Sequence, residues 1–459
     1  MISSITAFTH PFFIGIAGSG MSAIAQYLQG IGKQVSGSDR FFKEDEYNDT
    51  MDKLEKEGIR CFLQNGEGIT GQTDLVVVST AIEDTVPEVQ KAKQLGLPII
   101  KRSELLALIA ASKKTIAVGG TSGKSTTTAM LFDILEQAGL GPGIISGAGL
   151  VSLIREGKIG NAKVGSGDYL IIEADESDGS IVQYKPEIGL LLNMDKDHKE
   201  ISVLTGLFDT FRQNSRLFVV NRSHPLTRPF SQQEQQDFST DDATAGYRAT
   251  DFRQEGFAVS FRINEVPFSL QLAGRYNMEN AVAAAAVAAQ LGVSLTTCAE
   301  TLKRYEGIYR RYQVLGQKQG VWLVDDYAHN PVKCAAAIRA SQPVAPKVVA
   351  WFQPHGYGPT KFLREDFVKE IGDALRPQDE IWMSEIFYAG GTTVKDISAA
   401  DLIGDLQRQG KQAYFVENRN DFVMAVLPHL TTDCVLLLMG ARDPSLEQFA
   451  AQVWNELPA

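Results

Sequence analysis

The chain has 459 residues, 44% of them hydrophobic and 22% charged, the balance of a soluble globular protein too long for one ordinary core. Its net charge of −11 argues against a nucleic-acid partner, which needs a basic face, while leaving local loops free to bind phosphate. The four cysteines (Cys61, Cys298, Cys334, Cys434) lie far apart without CxxC spacing, which indicates neither a disulfide framework nor a zinc site and fits reduced thiols in a cytoplasmic protein.

The N-terminal stretch is apolar but lacks the basic segment of a signal peptide. No stretch approaches the ~20 apolar residues of a membrane span, so no membrane insertion is expected. A strand over Phe12–Ile16 runs into a turn carrying Gly15, Gly18, Ser19 and Gly20, and a helix follows over Met21–Gly30. A second strand, Gln34–Gly37, is closed by Ser38 and Asp39. This βαβ opening suits a diphosphate, with an acid about 20 residues on to hold a ribose hydroxyl. The spacing is GxxGxG rather than GxGxxG, so a dinucleotide is not the obvious ligand and a plain tight turn remains open. Further strands over Asp74–Ser79 and Leu97–Lys101 lead into Thr80 and into Arg102, Ser103 and Glu104. Polar residues at the carboxyl ends of strands are where open α/β sheets bind ligands. A domain boundary is expected within Ile109–Lys114.

The run IAVGGTSGKSTTTAM, Ile116–Met130, comes next. An apolar strand entering a Gly-rich turn that opens into a helix gathers backbone N–H groups and a helix N-terminus around one anion. Lys124 adds a point charge, and Ser125 is positioned to ligate Mg²⁺ on a nucleotide. Val118 stands where the full Walker pattern wants glycine, so this is a shortened phosphate loop with Gly119, Gly120, Thr121, Ser122, Gly123 and Thr126 around it. It reads as an ATP site. The strand Tyr169–Ile172 then ends in Glu173, Asp175, Glu176 and Asp178, four carboxylates that would repel one another unless cations were present. Glu173 is the expected Mg²⁺ ligand. The strand Ile188–Asn193 leads to Asp195, Asp197 and His198, with His198 a second candidate ligand.

Ser231–Gly246 reads as a surface excursion, Phe257–Leu272 as a small antiparallel pair, and Ala281–Ala289 as a close-packed helix. Asn277 and Asn280 at its start suit either a base edge or a helix cap. Gly307–Gln313 carries Arg310 and Arg311 and marks a second boundary, from which an arginine can reach a γ-phosphate. Beyond it, strands over Val321–Val324, Lys347–Phe352, Ile381–Met383 and Val435–Met439 each end in a polar loop, the pattern of a second Rossmann-like sheet.

Taken in order, FFIGIAGSGMSAIAQYL with QVSGSD, GGTSGKSTTT, IIEADESDGS, LLNMDKDH, YRRYQ, VDDYAHNP and WFQPHGY resemble the Mur ligase family over essentially the whole chain. The resemblance implies an α/β protein of three domains: a Rossmann-like domain binding a UDP-sugar (1–110), a central P-loop ATPase domain (111–312) and a Rossmann-like domain that brings the amino acid and closes on ATP (313–459). It implies an ATP- and Mg²⁺-dependent ligase acting on UDP-N-acetylmuramate, with an amino acid or a peptide as acceptor, and a monomer or homodimer. Within the family, EADESD and GIAGSGMS are similar to the alanine-adding branch and its murein-recycling relative. The implied roles are phosphate and Mg²⁺ binding for Lys124 and Ser125, metal ligation for Glu173 and His198, and adenine contact for Asn280. Arg311 and Asp326 would close onto the nucleotide. Gly18, Ser19, Gly20, Ser38, Asp39, Ser79 and Thr80 would face the UDP-sugar, and Tyr327, His329 and His355 the incoming amino acid. The chain departs from the family at Ser122, where histidine is usual, and at Gly356 and Pro359, where arginines are usual. Ile201–Val220 contains no lysine, so the carbamylated lysine of several later family members is not expected there.

Overall fold

The structure is a computed structural model that describes residues 2–79, 82–196, 199–388 and 394–458. The chain forms two compact units. The first comprises residues 1–250, 263–266 and 279–309, and the second comprises 251–262, 267–278 and 310–459.

In the first unit, strands β1 (Pro11–Ile14), β2 (Ser36–Asp39), β3 (Arg60–Leu63), β4 (Leu75–Val78) and β5 (Ile99–Lys101) form a sheet in the order β3-β2-β1-β4-β5. All its pairings are parallel. Phe12, Phe13 and Ile14 are fully buried, as expected of a parallel strand covered on both faces. The same unit holds β6 (Lys114–Gly119), β7 (Gly143–Ile145), β8 (Ala162–Lys163), β9 (Tyr169–Glu173), β10 (Ile188–Leu191) and β11 (Leu217–Val220). Their order is β11-β10-β6-β9-β7-β8, parallel except for the β7–β8 edge pair. One hydrophobic cluster runs through both sheets, from Phe13, Tyr27 and Leu105 to Ala117, Leu170 and Phe208. Polar bonds fasten them as well: Gln26 Nε2 donates to Asn161 Oδ1 at 2.7 Å, and Asn161 Nδ2 donates to the Ser19 carbonyl at 2.8 Å.

Strands β12 (Phe238–Ser239), β13 (Tyr247–Glu255), β14 (Ala258–Ile263) and β15 (Val266–Leu270) make a four-stranded sheet in that order, so the expected hairpin over 257–272 belongs to a larger sheet. The polar stretch Ser231–Gly246 runs largely over the surface, with Gln232, Gln233, Glu234, Gln235, Asp241, Ala243 and Thr244 exposed, but it is anchored by a short buried segment. Asp237 and Ser239 are fully buried within it, and Asp237 Oδ1 accepts the Val220 N–H at the end of β11. A polar segment sinks in this way when its groups satisfy one another, here through the Arg222–Asp242 and Ser231–Asp237 bonds. The alanine-rich helix does pack closely, since every residue from Ala281 to Ala288 is fully buried.

The second unit holds β16 (Gln313–Lys318), β17 (Val321–Asp326), β18 (Lys347–Gln353), β19 (Glu380–Met383), β20 (Gln412–Phe415) and β21 (Cys434–Gly440), in the order β16-β17-β21-β18-β19-β20. Only β16 pairs antiparallel, and it and β20 are the two strands of this sheet not expected from sequence. All four strands expected in this region are present within one to two residues of the expected bounds. Among the described residues no helix is long and apolar enough to cross a membrane.

Candidate nucleotide and substrate sites

Buried β6 delivers the chain to residues 120–123, and the helix Lys124–Gln137 starts immediately after. Gly123 is its N-cap with φ 82°, a left-handed conformation that glycine adopts without strain, and a Cβ there would collide with Asn280 Oδ1. The loop is clamped by Asn193, just beyond β10: its Oδ1 accepts the Ser122 N–H at 2.8 Å and its Nδ2 donates to the Ser122 carbonyl at 3.1 Å. Thr121 Oγ1 accepts the Asp195 N–H at 3.0 Å. Backbone held this firmly keeps its remaining N–H groups aimed at one point, as an anion cradle requires. The Ser122 hydroxyl is buried with no hydrogen-bond partner among the described residues.

The four carboxylates after β9 do not converge. Glu173 accepts from Ser125 Oγ at 2.9 Å, Ser146 Oγ at 2.6 Å and the Gly147 N–H at 2.7 Å. Glu176 takes the Lys124 ammonium at 2.7 Å, and Lys124 also donates to the Gly120 carbonyl at 2.6 Å. Asp175 accepts the Ser177 N–H at 3.0 Å, and Asp178 faces Arg102 at 3.4 Å. The repulsion expected from sequence is thus relieved by two side-chain cations within the fold. Burial alone would lower the Lys124 pKa, but Glu176, Asp175 and Glu173 outweigh it and raise it, so the ammonium stays charged. Burial likewise pushes Asp175 up, yet Lys124 and the Ser177 N–H hold it below the usual carboxylate value.

Asn280 is buried, and its Oδ1 accepts from Thr127 Oγ1 at 3.2 Å, which sets its amide against the first turn of the phosphate-loop helix. Asn277, inside the helix Arg275–Gln290, instead bonds locally, donating to the Ala273 carbonyl at 2.7 Å. Thr126 lies in the same first turn, half-buried. Asp197, His198 and Thr80 lie outside the described residues. Among the described residues no three His, Cys, Asp or Glu side chains gather as a metal site. The donors present nevertheless fit Mg²⁺. That ion takes oxygen ligands, keeps several waters, and needs only one or two protein groups beside nucleotide phosphates. Ser125 and Glu173 provide such a pair, and the orphaned Ser122 hydroxyl and the glycine turn suit a triphosphate.

In the first sheet, the glycine turn caps the helix Ser19–Gly30 with Gly18. The Ser38 carbonyl accepts the N–H groups of Gly15 and Ile16. Asp39 is buried and braces the turn, its Oδ2 accepting the Ala17 N–H at 2.9 Å and its Oδ1 the Phe41 N–H at 3.0 Å. Ser79, Gly20 and Ser38 stand at the same carboxyl edge of the sheet.

The second unit gathers another set at the ends of β17 and β18. Arg310, with φ 54°, is buried and donates to both oxygens of Asp325 (2.8 and 3.3 Å) and to the Gly440 carbonyl at 3.2 Å. Arg311 lies 4.6 Å over the Tyr327 ring. Burial drives the Asp326 carboxyl up to about 6 against the pull of Arg311 and the Ala328 N–H, which bonds it at 2.6 Å. The His329 ring lies 5.7 Å from Tyr327 and 5.6 Å from His355, and burial first, then Lys333, keeps it neutral. Gly356 has φ 74°, so an arginine there would need a different backbone. Ser146 and Asn193 had not been singled out from sequence, whereas Glu176 and Arg102 were marked at strand ends without a role of their own. Asn193 had a signal, as the amide directly following an apolar strand. Ser146 acts across 27 residues and had none, and the partners of Glu176 and Arg102 lie 52 and 76 residues away, beyond what a strand-end signal shows.

Comparison with known proteins adds an independent line. Residues 11–114 match the domain described as Mur ligase family, catalytic domain, residues 118–288 the Mur ligase middle domain, and residues 310–442 the Mur ligase, glutamate ligase domain. The UDP-N-acetylmuramate–L-alanine ligase of Carboxydothermus hydrogenoformans is 33% identical over 451 residues, spanning 94% of this chain and 93% of its own. That of Geobacter sp. strain M21 is 34% identical, spanning 94% of each. The crystal structure of UDP-N-acetylmuramate-alanine ligase from Thermotoga maritima superposes with a TM-score of 0.79 at 25% identity, covering 97% of this chain and 98% of that one.

Proposed function

The chain belongs to the Mur ligase family, and on that premise we propose that it joins L-alanine to the lactoyl carboxylate of UDP-N-acetylmuramate in peptidoglycan synthesis, using ATP. The observation that carries this reading is the cluster of Lys124, Ser125 and Glu173 at the clamped phosphate loop. The division into 1–110, 111–312 and 313–459 is part of the proposal, as is a cytoplasmic setting, where the sugar nucleotide and ATP are made.

In the proposed reaction the substrate carboxylate attacks the γ-phosphorus, the bond to ADP breaks, and an acyl phosphate results. The amine of alanine then attacks the acyl carbon, and the tetrahedral intermediate expels inorganic phosphate to leave the amide. Lys124 leaves Glu176 for the phosphoryl oxygens and balances charge there as the bond to ADP lengthens. Asn193 and Gly123 keep the loop N–H groups directed at the same oxygens. Mg²⁺ held by Ser125 and Glu173, with His198 as a further ligand, would supply Lewis-acid stabilisation of the transferring group. Asn280 is assigned to the adenine side and Arg311 and Asp326 to closure on the nucleotide. Neutral His329, beside Tyr327 and His355, is assigned to the incoming amino acid as a hydrogen-bonding group, since burial and Lys333 disfavour its protonated form.

The test is ATP-dependent phosphate release with UDP-N-acetylmuramate and Mg²⁺ across L-amino acids and muropeptides. Release with L-alanine is the expected result. Release only with a preformed peptide would favour the murein-recycling alternative, to which Gly356 and Pro359 lend weight. Silence throughout would overturn the ligase reading.

A further inference from the structure

Arg102 opens the helix Arg102–Ala111 at the end of β5, and its guanidinium lies on the first turn of the helix Ser19–Gly30. A Cβ placed on Gly20 would stand 3.0 Å from Arg102 Nη1 and 3.2 Å from its Cδ. Glycine therefore lets the cation rest against the turn where helix N–H groups point outward. Met21 and Ser22 already donate back to the Gly18 carbonyl, whereas no bond is made by the N–H groups of Ser19 and Gly20 among the described backbone pairs. Beside this turn, the Ser38 hydroxyl is fully buried and has no hydrogen-bond partner among the described residues.

The guanidinium meets Asp178 at 3.4 Å, longer than the 2.7–2.9 Å of a well-made charged pair. Both side chains keep partial access to solvent, 27% and 21%. Asp178 has its own local bond from the Ser180 N–H at 2.8 Å and so does not depend on the arginine. A loose pair of this kind, with the cation in contact with an N–H-rich turn, is poised for ligand exchange.

We propose that Arg102 is a binding residue for the diphosphate of the sugar nucleotide, releasing Asp178 when that diphosphate enters. The proposal rests on the ligase reading and adds to it a named cation and a named competitor. Asp178 acts as an internal stand-in for the diphosphate, so it weakens binding as well as holding the cation in place.

Isothermal titration of the full-length protein with UDP, and separately with uridine, tests this, with the nucleotide loop blocked by Mg²⁺ and a saturating non-hydrolysable ATP analogue. Arg102→Gln should weaken UDP roughly tenfold or more and leave uridine unchanged, because only the diphosphate meets the charge. Asp178→Asn should tighten UDP severalfold. In turnover, Arg102→Gln should raise KM for UDP-N-acetylmuramate while kcat at saturation stays near wild type. Equal UDP affinity in wild type and Arg102→Gln, or a parallel loss of uridine, would overturn the proposal and leave the ligase reading standing. Weaker UDP binding by Asp178→Asn would make the ion pair structural and likewise overturn it. Failure of wild type to bind UDP at all would remove both.

Discussion

Two strand ends carry adjacent acids in this molecule, and they behave oppositely. After β9, Glu173, Asp175 and Glu176 are surrounded by hydroxyls, backbone N–H groups and the Lys124 ammonium, and Asp175 is held below its usual pKa. At the end of β17, burial dominates. Asp325 is raised despite its paired contacts with Arg310, and Asp326 reaches about 6 beside Arg311. Residue type and position on a strand are therefore insufficient to give charge state. The number of donors facing each oxygen, set against the water removed from it, decides. The first region is organised to stay ionised and receive cations, and the second to keep protons exchangeable near neutrality.

The sharpest way to break the first region is Lys124→Ala. Turnover should fall at least 1,000-fold by the scale of lost transition-state charge stabilisation, on the order of 4 kcal/mol. The variant also strands Glu176, which is only 5% exposed, so unfolding in urea should show a loss of about 3–5 kcal/mol. Adding Glu176→Gln should restore most of that stability and none of the activity. Stability equal to wild type in the single variant would mean that Lys124 does not compensate the buried carboxylate.

Glu173→Gln comes next. It should lower activity by roughly 100-fold or more and shift the Mg²⁺ requirement upward, read from initial rates over a magnesium titration. An unchanged magnesium curve would remove Glu173 from the metal.

Asp326→Asn probes the second region. The folded carboxyl titrates at about 6 and the unfolded one near 3.8, so the native state binds the extra proton between these values. The contribution of Asp326 is complete below about pH 4 and is lost as pH rises toward 6, about 3 kcal/mol in all. Denaturation midpoints at pH 4 and pH 7 should therefore differ less in Asp326→Asn than in wild type. Asp133, near 7, and Asp237, near 6, contribute slopes in overlapping windows, and the comparison with the variant subtracts them. The smallest effect belongs to Ser146→Ala, which deletes one of three donors to Glu173 and should cost about 1 kcal/mol of stability, with a slight rise in the magnesium needed for half-maximal rate.

Much of this architecture was legible because its signals are local. Parallel strands such as Ile188–Leu191 are short unbroken apolar runs, and their carboxyl ends are marked where acids, amides or glycines begin. That rule located Glu173, Asp326 and the phosphate loop. It failed where meaning is carried by partners distant in sequence. Nothing near Arg310 and Arg311 distinguishes the one locked to Asp325 from its neighbour, although both reach the Tyr327 ring; the left-handed backbone at Arg310 and Tyr312 separates them. Composition told only part of the story at Ser231–Gly246, where most of the stretch is exposed as its polarity suggested but Asp237 and Ser239 pair inward. The edge strand β16 escaped notice because Gln313–Lys318 carries few apolar residues to reveal it.

The ion pair between Lys124 and Glu176 has a consequence for chemical probing. Reagents that acylate lysines act on the neutral, accessible amine, and Lys124 is enclosed and held protonated by three carboxylates. In the free protein it should be among the quietest of the lysines toward such labels at neutral pH. A covalent inhibitor aimed at this amine must therefore first carry an anion able to draw it off Glu176, and warheads chosen by screening exposed lysines will pass it by.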